Sequence, residues 1–201
     1  MLFKKLEALY NDNKNLAKAY PFDEYFPLLQ LFISKEVALG SEYLSPYRFA
    51  LFFSKPTKDA VRFFLGLADS EEIVETLYKY ECDECGTISI LKDEEALFNF
   101  KCKQCGFRDH LVKTEYLSEV KLLFRINEDL HDEVKANLKN NPLSDKIETA
   151  AANSERGLEE EVSLASIEES LYTDDNKPIS SKALQIKEKL DSYRRIMRMR
   201  D

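Results

Sequence analysis

Four cysteines carry the clearest chemistry in this chain, as Cys82-Asp83-Glu84-Cys85-Gly86 and Cys102-Lys103-Gln104-Cys105-Gly106, with sixteen residues between the pairs. In a C-x-x-C turn both sulfurs face one point, so two such turns supply four thiolates for a tetrahedral metal site. Gly86 and Gly106 follow the second cysteine of each pair. A positive φ there turns backbone N–H groups toward the sulfurs, and glycine reaches that conformation at no steric cost. Two of the five glycines in the chain are used this way. The expected ion is Zn2+, held by Cys82, Cys85, Cys102 and Cys105. A closed four-cysteine site has no open coordination position, so its expected role is structural. Zinc binding by such peptides is worth roughly 10–16 kcal/mol, comparable to the whole stability of a domain. Three other uses of the cysteines compete. Iron takes the same four ligands, and spacing does not separate it from zinc. A redox dithiol needs one C-x-x-C, usually within a βαβ pattern, which is absent here. Two disulfides would suit a small secreted scaffold, but Met1-Leu2-Phe3-Lys4-Lys5-Leu6-Glu7 lacks the apolar run of a signal peptide.

The segments Tyr80-Glu81-Cys82-Asp83-Glu84-Cys85-Gly86-Thr87-Ile88-Ser89-Ile90 and Phe98-Asn99-Phe100-Lys101-Cys102-Lys103-Gln104-Cys105-Gly106-Phe107 resemble a zinc ribbon. The resemblance implies two hairpin knuckles clamping one zinc, with strands between and beyond them. It covers about a sixth of the chain and specifies metal and fold far more than function. Zinc ribbons serve as nucleic-acid readers, protein docking modules and structural staples.

No other constellation reads as catalytic. No glycine is followed by lysine, so a Walker phosphate loop is absent, and no G-x-G-x-x-G occurs. The two histidines, His110 and His131, lie outside any H-E-x-x-H. His110 follows Cys105 closely enough to replace a ligand, but four cysteines already complete the set. Carboxylate runs such as Glu71-Glu72 and Glu159-Glu160-Glu161 fit helix N-termini and solvated faces better than acid–base work. The expectation is a protein that is not an enzyme and has no small-molecule substrate.

The elements that must position the cysteines follow from periodicity. Residues 1–80 read as a helical domain, and nine of the thirteen phenylalanines lie at or before Phe64. Leu2, Phe3, Leu6, Leu9 and Tyr10 recur at helical spacing. Pro21 and Pro27 break the next stretch, and Leu28–Leu39 is apolar enough for a buried helix. Pro46 suits a first-turn position of a helix over Tyr47–Phe53. Another helix runs through Ala60, Val61, Phe64 and Leu65 and closes at Gly66. Asp69 or Ser70 then reads as the N-cap of a helix from Ser70 to Tyr80, with acids in its first turn. Residues 81–113 form the ribbon. Over 114–141, a strand Val120–Ile126 and a helix capped by Asn127, with Leu130, Val134 and Leu138 on one face, complete the core. Residues 142–180 are rich in Ser, Glu, Ala and Asp and read as an acidic flexible linker with a transient helix over Leu158–Leu171. In the basic helix of 181–201, Ala183, Ile186, Leu190, Tyr193 and Met197 step as an a/d seam. Too short to be stable alone, that helix is expected to bind a protein partner through Ile186, Leu190, Tyr193 and Met197. Folding back onto its own domain is the competing reading.

The fold class expected is therefore α+β, mainly α. Helix, glycine turn, helix and then a β extension is the order of a winged helix, with the ribbon where a wing would sit. This layout resembles the alpha subunits of general transcription factor E, in which a winged helix precedes a zinc ribbon. Net charge is −8 and the sequence pI is near 5.0, which disfavours a nucleic-acid coat or an anionic-membrane binder. The expected recognition helix, Ser70–Tyr80, sets Glu71, Glu72 and Glu75 against Lys79, which opposes approach to phosphates. The second knuckle suits nucleic acid better, with Lys101, Lys103 and Arg108 beside Phe98, Phe100 and Phe107, but three charges are few and Glu81, Asp83 and Glu84 on the first knuckle oppose them. Together these readings favour a cytosolic, non-catalytic adaptor subunit of a multiprotein complex. The alternative is a DNA-binding regulator of winged-helix plus ribbon type.

Overall fold

A computed structural model describes residues 1–140 and 161–199. Three helices open the chain: α1 (Leu2–Asp12), α2 (Lys14–Ala19) and α3 (Phe22–Ala38). Leu2, Leu6, Leu9 and Tyr10 fill the buried stripe of α1, as their spacing predicts. Asn13 separates α1 from α2 and caps α2 by accepting from Leu16 N–H at 2.8 Å. Pro21 stands at the N-cap of α3, but Pro27 lies inside that helix, contrary to the expected break. Proline there forfeits only the bond to the Asp23 carbonyl. Burial of Leu29, Phe32, Ile33 and Val37 along the same helix offsets that loss.

The chain then forms β1 (Tyr43–Leu44), α4 (Pro46–Phe53) and α5 (Thr57–Leu67). Pro46 occupies the first turn of α4, as expected, and Ser45 caps the helix. Aromatic rings bind these helices into one layer. Phe49 meets Phe32 at 5.3 Å and Phe64 at 5.5 Å, and Phe64 reaches Phe124 of the sheet at 5.6 Å. Gly66 does not end α5, which continues to Leu67. A Cβ at Gly66 would lie 2.4 Å from Leu16 Cδ1, so glycine is there to let α5 and α2 approach.

The expected Ser70–Tyr80 helix is a strand. Ser70 starts one turn, with its carbonyl accepting from Ile73 and Val74 N–H, and the chain then extends as β2 (Val74–Glu81). β-branched and aromatic residues recur at Val74, Thr76, Tyr78 and Tyr80, a pattern that suits a pleated surface. β2 pairs antiparallel with β3 (Ile88–Leu91) on one side and β6 (Lys121–Ile126) on the other. Between them lie α6 (Glu94–Phe98), the short strands β4 (Phe100–Lys101) and β5 (Arg108–Asp109), and a 3-10 turn at Thr114–Tyr116. Strand order in the main sheet is β1-β6-β2-β3, and β7 (Val162–Ser163) joins the same edge of β6 that β1 occupies. Leu122, Phe124 and Ile126 point inward from β6 in the alternation the sequence shows. Asn127 caps α7 (Glu128–Asn140) through Leu130 N–H at 3.3 Å, and α7 lies against α3.

Of the expected 142–180 linker, residues up to 160 lie outside the described ones. The remainder is folded onto the domain, with residues 174–178 exposed and most of its apolar side chains in the core. β7 leads into α8 (Leu164–Ser170), and Leu164, Ile167, Leu171 and Ile179 are all buried. The C-terminal helix α9 (Ser181–Arg198) forms where its seam predicts, but it is packed on its own chain. Ala183, Ile186 and Leu190 are 1%, 2% and 5% exposed, which removes them from any partner in this conformation. No helix among the described residues is long and apolar enough to cross a membrane.

Candidate metal centre

The first knuckle is the turn between β2 and β3, and the second joins β4 to β5. Each closes in the same way. Cys82 N–H donates to the Thr87 carbonyl at 3.0 Å and Cys102 N–H to that of Phe107 at 2.8 Å. Gly86 N–H returns to the Cys82 carbonyl at 2.7 Å and Gly106 N–H to that of Cys102 at 3.1 Å. Both glycines are left-handed, with φ of 68° and 79°. The turns aim N–H groups at the sulfurs, as the sequence leads one to expect. Glu84 and Cys85 N–H face Cys82, and Gln104 and Cys105 N–H face Cys102.

The four sulfurs converge. Cys82 Sγ lies 3.7 Å from Cys105 Sγ, Cys85 Sγ lies 3.6 Å from Cys102 Sγ, and all four sit within 4.8 Å of one another. Each close pair joins one knuckle to the other. A tetrahedron with metal–sulfur bonds of about 2.3 Å has edges of about 3.8 Å, so the spacing fits a single ion. All four are free thiols, with Cys82 and Cys102 buried and Cys85 and Cys105 at the rim.

Electrostatics at the cluster also call for a cation. The Thr87 hydroxyl and N–H lower the Cys85 thiol to about 6. At Cys105 the Phe107 N–H acts downward, but burial and the neighbouring sulfurs of Cys85, Cys102 and Cys82 outweigh it and carry the thiol up to about 12. Thiolates this close repel one another, so without a cation the cluster keeps part of its protons.

Aromatic packing fixes the site to the fold. Tyr80, two residues before Cys82, meets Phe100 at 5.1 Å and Tyr116 at 5.8 Å beneath the knuckles. His110 is not among the clustered ligands. Its ring stacks on Phe98 at 4.5 Å, and its Nδ1 lies against the Phe98 carbonyl oxygen. Phe98 stacks in turn on Tyr193 of α9 at 4.6 Å. Tyr193 and Met197, expected as partner contacts, are thus half-buried against the chain's own fold, beside Phe98 and His110. Glu94 at the start of α6 is buried, accepts from the Tyr78 hydroxyl at 2.5 Å and pairs with Lys189 of α9 at 3.0 Å. One carboxylate therefore joins sheet, ribbon and terminal helix.

Sequence reasoning missed Asp69. Its carboxylate accepts from Ser181 N–H at 3.1 Å and Lys182 N–H at 2.8 Å, two of the open donors at the start of α9. It also accepts from Ser180 Oγ at 2.7 Å and Asn13 Nδ2 at 2.9 Å. The sequence signal was a capping residue, but the helix it serves begins more than a hundred positions later.

Comparisons with protein-family models, curated proteins and solved structures return no match for this chain.

Proposed function

We propose that the chain is a zinc-stapled, non-catalytic adaptor subunit that works in the cytosol as part of a multiprotein complex. Cys82, Cys85, Cys102 and Cys105 hold the ion, and four thiolates leave no position for substrate. The bound zinc supplies structure: it ties the β2–β3 and β4–β5 hairpins together and neutralises sulfurs that otherwise repel. The zinc-ribbon reading rests on the two matched knuckles and their left-handed glycines.

A winged-helix layout is supported by the sheet order β1-β6-β2, fed by α3, α4 and α5, with the ribbon inserted between β2 and β6. In that layout α5 takes the place of a recognition helix, and its burial is the observation that carries the adaptor reading. Ala60 through Leu67 are all buried, and α8 and α9 lie across the helix. Its one buried cation, Arg62, is engaged with Asp174 at 2.8 Å. A helix so enclosed does not enter a major groove, which weighs against the regulator alternative. With the α9 seam used internally, the apolar side chains left for a protein partner include Leu31 on α3, Leu39 just after it, and Leu51 and Phe52 on α4. Leu51 is 83% exposed.

The test is purification of the complex from the native source at wild-type and Leu51→Asp positions. A stoichiometric partner retained by the wild type and lost from the variant, with zinc content unchanged, supports the reading. Sequence-specific duplex binding by the isolated chain would overturn it.

A further inference from the structure

The chain is acidic overall, at −8, yet the fold gathers cations from two distant segments at one place. The last turns of α9 lie beside the second knuckle, held by the Tyr193–Phe98 stack and by Arg194 Nε donating to the Val112 carbonyl at 2.8 Å. Between them is a cleft of about 450 Å³ lined by Phe98, His110, Lys113, Arg194, Met197 and Arg198. Asp109 and Glu115 engage Lys113, and Asp191 and Glu168 engage Arg194. Five cations on the elements flanking the cleft have no carboxylate within ion-pair distance among the described residues: the cross-strand pair Lys101 and Arg108 of β4 and β5, Lys103 in the knuckle, and Arg195 and Arg198 on α9, of which Arg198 lines the cleft itself. All five are exposed.

We propose that this cleft holds single-stranded nucleic acid, beyond any role the chain has as an adaptor. The rings of Tyr193, Phe98 and His110 form one pile with centroid spacings of 4.6 and 4.5 Å. An unpaired base extends that pile against His110, over the apolar Met197, in a cleft of the size that takes a small flat ligand. Phosphates on either side of that base meet the knuckle cations in one direction and Arg195 with Arg198 in the other. A duplex keeps its bases stacked inside and offers none to the pile, so the arrangement selects the single strand.

The experiment uses the full-length, metal-loaded chain and a fluorescent single strand of about 20 nucleotides, with affinity read by anisotropy across salt. Phosphate contacts by four of these cations, Lys101, Arg108, Arg195 and Arg198, give a log–log slope near −2.8, so affinity falls about 50-fold between about 50 and 200 mM salt. Arg195→Glu with Arg198→Glu removes about two contacts, weakens binding at low salt at least about tenfold, and cuts that salt loss to about sevenfold. Lys101→Glu with Arg108→Glu acts likewise from the other side. His110→Ala weakens binding at every salt without changing the slope, because stacking releases no counterions. Unchanged Tm and metal content certify each variant. The proposal is overturned if both charge-reversal pairs bind as the wild type, if the matching duplex binds as tightly as the strand, or if poly-glutamate of equal charge displaces the strand as readily as unlabelled strand does.

Discussion

Replacing Asp69 by alanine removes the carboxylate that holds the start of α9 against the N-terminal helices. Two backbone donors of that helix, Ser181 and Lys182, lose their acceptor, as do the Ser180 and Ser181 hydroxyls and the Asn13 amide. A hydrogen bond to a charged group contributes roughly 1.5–3 kcal/mol, and a negative charge at a helix N-terminus adds about 0.3–1 kcal/mol. The bonds share one carboxylate and do not add, and water reaches the half-buried site, so the expected loss is about 2–4 kcal/mol. For a chain of this size 1 kcal/mol corresponds to roughly 2–4 °C, which places the Tm drop at about 4–16 °C. Scanning calorimetry of metal-loaded protein reads the shift, and amide hydrogen exchange locates it. Protection is expected to fall first at the α9 amides and only later in β2 and β6. Asp69→Asn keeps acceptors but loses charge and should fall between the two. A Tm within about 1 °C of wild type, with α9 protection unchanged, would refute the claim that Asp69 anchors the helix.

Leu190→Asp buries a charge in the α9 seam and is expected to destabilise the isolated chain by about 3–5 kcal/mol, read by thermal denaturation. An unchanged Tm would show that the seam faces outward instead. Gly66→Ala forces a methyl group onto Leu16 and should cost about 1–3 kcal/mol in denaturant unfolding, with partial recovery in the Gly66→Ala, Leu16→Ala double variant. Burial holds the phenols of Tyr10, Tyr20, Tyr78, Tyr80 and Tyr116 above the ordinary tyrosine range, and at Tyr78 the Glu94 carboxylate raises it further. A raised folded value contributes stability that is complete below about pH 10 and is lost as pH rises above it. Ultraviolet titration should therefore show these tyrosines ionising only with alkaline unfolding, and Tyr78→Phe should flatten that limb. Smooth titration of all ten tyrosines near pH 10 in folded protein would contradict the packing.

What the sequence made legible was whatever is written locally. C-x-x-C-G is complete within five residues, so the ligands, their turns and the two left-handed glycines follow without tertiary information. Pro46 in a first turn and the Asn127 cap are likewise local, and the alternation of Leu122, Phe124 and Ile126 needs only the next residues to be read. Ser70-Glu71-Glu72 is a valid helix start, yet it yields a single turn. Val74, Thr76 and Tyr78 then find Ile126, Phe124 and Leu122, more than forty positions downstream, and sheet pairing prevails over the local signal. The α9 seam was correctly spaced, but spacing states that a face is buried and not by what. Its occupant is assembled from α5 and α6, and Asp69 carries the local mark of a cap without any sign of the distant helix it serves. Gly66 shows the same limit: a glycine near a helix end reads as punctuation, whereas the reason for it is Leu16.

Metal content under thiol-protecting purification tests the central claim most directly, measured by elemental analysis on the wild type and on Cys102→Ser. The account predicts one zinc per wild-type chain, loss of that zinc in Cys102→Ser, and unfolding in the variant of at least residues 80–113. Less than about half an equivalent of metal in the freshly purified wild type, or iron in place of zinc, would contradict it.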